Sequence, residues 1–556
     1  MQDAGVPVVP GYEGDNQEAA FLQKQADDIG YPVLIKAVAG GGGKGMRQVH
    51  DAKEFIDALD SCRREASSAF GDDRVLIERY ITKPRHIEVQ VFGDKHGNFV
   101  HLFERDCSLQ RRHQKVIEEA PAPHMSPDMR EAMGKAAVEA ARAIDYYGAG
   151  TIEFIVDVSG GLDDAPFFFM EMNTRLQVEH PVTEMITGQD LVSWQIDVAA
   201  NLPLPLSQEQ LSINGHAFEA RLYAEDPSQQ FLPQIGTVTA FIKTDEADKT
   251  IRWDTGIEKG DEVTIHYDPM IAKLIVNAES RDAAIQKMRS ALEQTVISGL
   301  THNQEFLYNI FGQTSFIEGD VDTGFIARHE EDLIPPDYQQ PHMAELAFAA
   351  AHIVFGLAAE NTANDDHWAD DPWSIRDVWR PNLHMSQGLK LTSRDQEYLL
   401  QVCVNGRTLS VELARQDTKE DFIFEGWDET KSQITLTHKD APIHATLIAD
   451  GLHYTVCHKG RTCRLQLPDF SATADSAQGE GRITAPMPGK IITVLVAKGD
   501  QVEKDQPVLI MEAMKMEMTI RAGIDGLIDE LPVAENDQVQ DGSLLVSIAA
   551  KENTGS

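Results

Sequence analysis

The sequence predicts a multidomain protein of mixed α/β and α+β class, because three patterns follow one another along its 556 residues. Short β-branched runs alternate with helical stretches in 1–332, which is typical of a catalytic body. The segment 343–467 has one helical stretch followed by alternating strands, and 483–550 contains an internal repeat. At the usual domain size, a chain of this length forms about three or four domains.

The catalytic body is predicted from its strand and helix segments. Paired prolines at 335–336 stop regular structure, so we expect a linker after residue 332. The strand segments include YPVLIKAV (31–38), HIEVQVFG (86–93) and GTIEFIVDV (150–158), and SPDMREAMGKAAVEAARAI (126–144) is a helical segment.

The middle part, 343–467, is predicted to be a β-rich domain with one helix. Its apolar stretch at 343–360 carries Glu345 and His352 and is short for a bilayer span, so we expect a buried helix. Small and polar residues then predict a flexible linker at 468–482. The strand segments include YLLQVCVNG (398–406), RTLSVELA (407–414) and IHATLIADG (443–451).

The last part, 483–550, contains two copies of a strand-turn-strand unit. Residues 489–511 align on 526–548 without gaps. The two copies predict a small β-barrel with approximate two-fold symmetry. Lys515, in EAMKMEM (512–518), lies between the copies, so a tight hairpin there would present its amine for covalent modification. Biotin and lipoate are two modifications that fit such a fold.

The composition argues against several classes of partner. The formal net charge of −40, from 49 basic and 89 acidic residues, argues against nucleic acid and against an anionic membrane surface. Anionic ligands therefore need local basic clusters. The five cysteines form no metal-ligand spacing, and their odd number gives no disulfide framework, so we expect a reducing environment.

Two segments of the catalytic body predict a phosphate and metal site. A strand runs into Gly40–Gly43, where backbone N–H groups can approach phosphate oxygens closely. Glu171 and Asn173 share one face of a predicted strand, and GTIEF supplies Glu153. Carboxylate and amide oxygens suit Mg²⁺ bound to ATP phosphates. A flexible loop and an exposed strand edge are the alternative interpretations.

The strand that carries Glu171 also predicts an anion site. Arg175, Gln177 and Glu179 keep the period of two, so they line the same cavity if the strand continues. An arginine fork, an amide and a carboxylate that converge on a small planar anion would suit bicarbonate.

Three motifs resemble those of a known family. RDCSLQRRHQKVIEEAPAP (105–123) and EMNTRLQVEHPVTEMITG (171–188) resemble biotin carboxylase, an ATP-grasp enzyme, and the likeness extends from residue 1 to about 330. Ala513-Met514-Lys515-Met516 resembles the biotinyl carrier motif, whereas lipoyl domains usually have an acidic residue before the lysine. The chain thus resembles the α subunits of biotin-dependent acyl-CoA carboxylases, which implies covalent biotin on Lys515.

The resemblance implies roles for individual residues. Glu179 is expected to deprotonate bicarbonate, and Arg221 to stabilise the enolate form of biotin. The expected catalytic residues are Glu179, Arg221, Arg175 and Lys115, and the expected bicarbonate-binding residues are Lys115, Arg175, Gln177 and Val178. The expected ATP-binding residues are Lys36, Gly41, Gly42, Gly43, Glu78, Ile81, His86, Gln110 and His113, and the ligands expected for Mg²⁺ or Mn²⁺ are Glu153, Glu171 and Asn173.

The resemblance also implies partners. We recognise no carboxyltransferase-like segment, so we expect a separate carboxyltransferase β subunit in a hetero-oligomer, contacted by 343–467, and a biotin protein ligase that modifies Lys515. EMITGQDLV (184–192) and HAFEARLYAEDP (216–227) favour the methylcrotonyl-CoA carboxylases over the propionyl-CoA or other acyl-CoA carboxylases. We expect a bacterial cytoplasmic or eukaryotic mitochondrial-matrix location, since the first residues show no targeting pattern.

The start of the chain departs from the family pattern. Family members begin with a further nucleotide-binding-type domain and a phosphate-contacting lysine, upstream of the segment that begins this sequence. We therefore expect an N-terminally truncated ATP-grasp body that lacks its first domain and cleaves ATP slowly. The alternative function is a biotin-carrying assembly module.

Overall fold

The computed structural model of the chain is built mainly from antiparallel strands. None of the described helices is long and apolar enough to cross a membrane. The structure describes residues 1, 5–39, 45–111, 114–162, 165–244, 248–264, 266–359, 385–394, 396–414, 418–469, 481–485, 489–513, 516–540 and 542–550.

A four-stranded antiparallel sheet with two helices forms the first unit. Its strand order is β1-β4-β2-β3. Ile35 and Ile77 point from this sheet into a core with Leu22 and Leu59 of the helices, so Lys36 lies on the opposite face. The elements are β1 (Gly11–Tyr12), α1 (Ala19–Ile29), β2 (Val33–Ala37), β3 (Met46–Val49), α2 (Phe55–Phe70) and β4 (Val75–Arg79).

An eight-stranded antiparallel sheet is the centre of the carboxylase region. Its strand order is β15-β17-β10-β7-β6-β5-β8-β9, so strands distant in sequence become neighbours. The elements are β5 (Pro84–Gly93), β6 (Phe99–Arg111), β7 (Gln114–Ala120), α3 (Pro127–Arg142), β8 (Gly148–Asp157), β9 (Phe167–Asn173), α4 (His180–Thr187), α5 (Leu191–Ala199), β10 (His216–Tyr223), β11 (Glu225–Asp226), β12 (Leu232–Pro233), β13 (Gly236–Thr237), β14 (Ala240–Ile242), β15 (Ile251–Thr255), β16 (Glu262–Val263) and β17 (Met270–Ala278).

Helices cover the large sheet because its strands are apolar on the faces they bury. On one side Met133 and Ala137 of α3 pack with Ile87 of β5. On the side of β10, Phe218 packs with Phe311 and other apolar residues of the following helices. Those later elements are α6 (Arg281–Gln294), β18 (Val296–Ser298), α7 (Gln304–Ile310), α8 (Thr314–Ile317), α9 (Phe325–Arg328) and α10 (Glu330–Leu333).

One helix and a closed eight-stranded barrel follow, where the sequence predicted a β-rich segment with a buried helix. Ala347 and Phe348 of the helix share a core with Leu391, Val402 and Phe422 of the barrel. The elements are α11 (Met343–Ala359), β19 (Met385–Ser393), β20 (Gln396–Asn405), β21 (Thr408–Leu413), β22 (Thr418–Asp428), β23 (Gln433–His438), β24 (Ala441–Asp450), β25 (His453–His458) and β26 (Arg461–Gln466).

The C-terminal unit consists of two four-stranded sheets, where the sequence predicted one small barrel. The orders are β27-β34-β32-β29 and β31-β30-β28-β33, so each repeat gives its short strand to a sheet of the other repeat. This exchange places Ile491 and Ile528 in one shared core. The strands are β27 (Arg482–Thr484), β28 (Gly489–Val494), β29 (Gln501–Val502), β30 (Pro507–Ala513), β31 (Met516–Arg521), β32 (Gly526–Glu530), β33 (Gln538–Val539) and β34 (Leu544–Ala550).

Candidate active site

Glu179 is the buried centre of the candidate active site. It immediately precedes α4, and its side chain is 1% exposed. The Nζ of Lys115 on β7 lies 2.5 Å from its Oε1, and the Nη2 of Arg221 on β10 lies 2.9 Å from its Oε2. Because β7 and β10 are paired, residues far apart in the sequence reach the same carboxylate.

A fully buried pair, Glu88 and Arg105, lies next to Lys115. Arg105 donates from Nε to Glu88 Oε1 at 2.7 Å, and Lys115 Nζ lies 2.6 Å from Glu88 Oε2. Burial opposes ionisation of Glu88, but Lys115 and then Arg105 outweigh it and lower the pKa of Glu88 to about 2. Burial also opposes the charge of Lys115, yet the carboxylate of Glu88 raises its pKa. Lys115 is therefore a cation at neutral pH.

Glu153 is the meeting point of the expected metal ligands. It lies opposite Glu171 across β8 and β9, and Asn173 donates from Nδ2 to its Oε1 at 2.7 Å. His86 Nε2 lies 3.0 Å from its Oε2. Burial opposes ionisation, but this hydrogen bond together with the positive charges of His86 and Lys115 outweighs it, so the pKa of Glu153 is lowered. The charged carboxylates and the amide oxygen form a donor set that fits Mg²⁺ or Mn²⁺.

Arg175 and Gln177 reach Glu153 from a turn, which corrects the prediction of a continuing strand. β9 ends at Asn173 because the chain leaves the sheet there, and 174–179 lead into α4. Arg175 donates from Nη1 to Gln177 Oε1 at 2.8 Å, and Gln177 donates from Nε2 to Glu153 Oε1 at 3.3 Å. The turn therefore connects an arginine, through an amide, to the carboxylate of Glu153.

The expected nucleotide-binding residues are divided between two sheets. Lys36 and Glu78 lie on paired strands of the four-stranded sheet and form an ion pair with each other. Ile81 is buried just beyond β4. Gln110 instead lies on the large sheet, opposite Lys115 across β6 and β7. The expected positions Gly41, Gly42, Gly43 and His113 lie outside the described residues.

The expected attachment position, Lys515, also lies outside the described residues. The strands on either side of it are described, and the pairing of β30 with β31 runs up to Ala513 opposite Met516. Leu509 and Met511 of β30 are buried in the core of the C-terminal unit. The strands that flank Lys515 are therefore anchored in a packed unit.

Sequence reasoning missed several buried charges around Arg221. Its Nη2 lies 2.5 Å from Glu118 Oε1, and Glu118 lies opposite Glu219 across β7 and β10. Burial raises the pKa of both carboxyl groups. The charge of Glu118 adds to the rise for Glu219, and the charge of Glu179 adds to the rise for both. Lys273 donates from Nζ to the carbonyl of Val178 at 2.6 Å, so it positions the turn before Glu179.

Glu88, which sequence reasoning also missed, did have a local signal in the sequence. His86, Glu88 and Gln90 recur with a period of two in an otherwise apolar segment, which places three polar side chains on one face of β5. A polar face on a buried strand indicates a polar site beneath it. No comparable local pattern surrounds Arg105, because its partner Glu88 is on another strand.

Three family descriptions match successive parts of the chain. "Carbamoyl-phosphate synthase L chain, ATP binding domain" matches 1–207, "Biotin carboxylase C-terminal domain" matches 219–328, and "Biotin-requiring enzyme" matches 481–548. The large sheet with Glu179 falls in the first two matches, and the unit with two repeats falls in the third. An ATP-binding catalytic body and a biotin-bearing unit therefore occur in one chain.

Curated relatives match along nearly the whole chain. The methylcrotonoyl-CoA carboxylase subunit alpha of Dictyostelium discoideum is 46% identical over 99% of this chain and 78% of its own length. The corresponding subunit of Mus musculus is 43% identical over 100% of this chain and 77% of its own length. The propionyl-CoA carboxylase alpha chain of Mus musculus is 38% identical, over 98% and 75%.

Solved structures match the carboxylase region. The biotin carboxylase domain of Hydrogenobacter thermophilus 2-oxoglutarate carboxylase, bound to MgADP and bicarbonate, is 46% identical with a TM-score of 0.57, over 60% of this chain and 72% of that one. A biotin carboxylase–nucleotide complex from Campylobacter jejuni is 47% identical with a TM-score of 0.56, over 59% and 72%. The chain therefore belongs to the α subunits of biotin-dependent acyl-CoA carboxylases, which carboxylate biotin with ATP and Mg²⁺.

Proposed function

We propose that the chain is the α subunit of a 3-methylcrotonyl-CoA carboxylase and that it carboxylates a biotin attached to Lys515. The identity to methylcrotonoyl-CoA relatives, 46% and 43%, exceeds the 38% to a propionyl-CoA relative and supports this acyl-CoA. The acyl group is carboxylated by a separate β subunit, which forms a hetero-oligomer with this chain. The proposed location is the cytoplasm of a bacterium or the mitochondrial matrix of a eukaryote.

The position of Glu179 between two cations is the observation that carries the proposal. Both of its oxygens face positive groups, Lys115 at 2.5 Å and Arg221 at 2.9 Å. Bicarbonate that displaces these contacts would bring its hydroxyl group to the carboxylate and its negative charge to the cations. Glu179 is then the base that takes the bicarbonate proton. The resulting oxyanion attacks the γ-phosphate of ATP, the bond to the β–γ bridging oxygen breaks, and carboxyphosphate and ADP are formed.

The surrounding residues handle the charge that develops during phosphoryl transfer. Arg175, Gln177 and the backbone of Val178 orient bicarbonate, and Lys115 offsets its charge. When ATP binds, Lys36 leaves its ion pair with Glu78 and contacts phosphate oxygens. Glu78 and Ile81 hold the adenine. Mg²⁺ or Mn²⁺ held by Glu153, Glu171 and Asn173 would neutralise the phosphate oxygens. The remaining proposed ATP contacts are Gly41, Gly42, Gly43, His86, Gln110 and His113.

Replacement of Glu179 tests the proposal. Glu179→Gln should lower bicarbonate-dependent release of phosphate from ATP, in the presence of free biotin, by on the order of 10²-fold, because the base is lost. Glu209→Gln is the matched control, since Glu209 is an exposed carboxylate on the same region. Full activity of Glu179→Gln would exclude Glu179 as the base.

A second measurement tests the proposed acyl-CoA substrate and the proposed β subunit. The chain should co-purify with a carboxyltransferase β subunit encoded by the same organism, and the complex should carboxylate 3-methylcrotonyl-CoA in preference to propionyl-CoA. Preference for propionyl-CoA would contradict the proposed substrate. Failure of any β subunit to co-purify would contradict the proposed assembly.

A further inference from the structure

An inter-unit cavity of about 470 Å³ lies between the carboxylase region and the barrel. One wall contains residues around β13 and β18, and the other contains residues of β24, β25 and β26. None of the described residues proposed above for ATP, bicarbonate, metal or biotin lines this cavity. The residues that line the cavity therefore indicate what kind of ligand it can bind.

Hydroxyl groups join the two walls of the inter-unit cavity. The Oγ of Ser298 lies 2.7 Å from the Oγ1 of Thr455, and Thr239 lies 3.0 Å from Ser298 through its Oγ1. Ser298 and Thr455 are 4% and 6% exposed. Each hydroxyl can both donate and accept a hydrogen bond. The walls are therefore polar, and their hydroxyl groups can donate hydrogen bonds to an anion.

Two arginines add positive charge, and only one of them has a carboxylate partner. Arg394 lies 3.2 Å from Asp226 and donates to Ser228 Oγ at 2.6 Å. Arg464 lines the cavity and lies directly opposite Thr455 in the β25–β26 pairing. Partial burial and then the charge of Arg394 lower the pKa of Arg464, and no carboxylate among the described residues raises it.

Neutral and acidic lining groups do not cancel the charge of Arg464. Burial lowers the pKa of His302 to about 4, with Arg464 as a smaller cause, so His302 is uncharged at neutral pH. Asp450 lines the same cavity but forms no ion pair with Arg464 in the described part of the chain. Arg464 therefore has a positive charge that no described carboxylate offsets, in the same cavity as a second arginine.

We propose that the inter-unit cavity binds a small phosphate-bearing anion, with Arg464 and Arg394 as its cationic contacts and the hydroxyls of Ser298, Thr239 and Thr455 as donors. An arginine fork matches phosphate oxygens in pairs, and an anion removes the repulsion between the two guanidinium groups. Because the walls come from two units, a bound anion also stabilises the contact between the carboxylase region and the barrel.

Thermal unfolding in phosphate and in chloride tests the proposal. With the ionic strength matched and MgADP saturating the catalytic site, inorganic phosphate should raise the unfolding midpoint of the full chain and of Arg407→Gln. Arg407 is an exposed arginine of the same barrel and serves as the matched control. In Arg464→Gln, phosphate binding should weaken by about tenfold or more, since a charged hydrogen-bond donor is lost.

The behaviour in chloride separates binding from a structural role. Arg464→Gln should unfold at or above the wild-type midpoint in chloride, because Arg464 has a cationic neighbour and no anionic partner. A lowered midpoint in chloride, or an unchanged response to phosphate, would overturn the proposal.

Chemical modification locates the bound probe. Phenylglyoxal should modify Arg464 in the wild-type chain, and peptide mass spectrometry should show that inorganic phosphate slows this reaction but not the reaction of Arg407. The same protection should remain in Glu179→Gln, so the result does not depend on the proposed catalytic function. Equal modification of Arg464 with and without phosphate would show that the anion binds elsewhere.

Discussion

The two oxygens of Glu179 have different cationic partners, and each partner has its own second contact. Lys115 is also held by Glu88, whereas Arg221 also contacts Glu118. Loss of Arg221 therefore leaves the contact between Lys115 and Glu179 in place. At the scale of residues, proton removal from bicarbonate and transfer of the carboxyl group to biotin should be separable by mutation.

Replacement of Arg221 should affect transfer more than ATP cleavage. In Arg221→Gln, we expect incorporation of labelled bicarbonate into free biotin to fall on the order of 10²-fold, because the charged group proposed to stabilise the biotin enolate is lost. Bicarbonate-dependent ATP cleavage should fall by less than about tenfold, since Lys115 still holds Glu179. Arg221→Lys, which keeps the charge, should recover part of the transfer, and equal losses of both activities in Arg221→Gln would contradict the separation.

At the scale of elements, the paired strands β30 and β31 flank the proposed modification site. Its pairing continues to Ala513 and Met516, and its inner residues are fixed in the core of two interlocked sheets. The repeat accounts for the two interlocked sheets, because the first strand of each copy pairs with the short strand of the other copy.

Replacement of Lys515 should remove biotin without unfolding the C-terminal unit. In Lys515→Arg, produced with an active biotin ligase, we expect avidin blotting to fall to background and the intact mass to lack the increment of one biotin. Lys504→Arg, which changes an exposed lysine of the same unit, should keep both. Avidin binding that survives Lys515→Arg would place the biotin on another residue.

At the scale of the whole molecule, a buried ion pair joins the carboxylase region to the barrel. The Nη1 of Arg461 on β26 lies 3.2 Å from Oε1 of Glu305 on α7, and its Nε lies 4.0 Å from Glu345 on α11. Burial raises the pKa of Glu305 to about 7, against the attraction of Arg461 and with added repulsion from Glu345. Ionisation of Glu305 is therefore unfavourable in the folded state, which should lose stability as the pH rises.

The sign of the pH effect follows from the raised pKa of Glu305. The folded state retains the proton up to about pH 7, whereas the unfolded chain loses it near the ordinary value of about 4.3, so stability falls as the pH rises between these values. Glu305→Gln should not lose stability in this way, because the glutamine side chain does not titrate. Its thermal midpoint relative to wild type should rise by several degrees from pH 5 to pH 8, which corresponds to at most about 3 kcal/mol.

An exposed carboxylate provides the control for this measurement. Glu330→Gln lies on the same region at the surface, so its midpoint relative to wild type should stay constant over that pH range. If the difference between Glu305→Gln and wild type is also constant with pH, then the buried carboxyl group does not titrate as proposed.

Much of the organisation follows from local patterns in the sequence. Period-two runs predicted β2, β5 and β8, and an apolar stretch predicted the buried helix α11. The repeat predicted paired strands at the C-terminus, although not their division into two sheets. These features are predictable because apolar residues recur at every second position in a half-buried strand and with helical spacing in a buried helix, and both patterns are visible in a short stretch of sequence.

By itself the sequence determined the class of fold and the carboxylase family, and it nominated Glu179, Arg221 and Lys515 as candidate site residues. Only the tertiary structure decided that Glu88 and Arg105 support Lys115, that a turn carries Arg175, and that two arginines face one cavity between units. The reason is that strand order is a long-range property. The pairing of β7 with β10 joins distant segments, and no local pattern specifies which buried charges become neighbours.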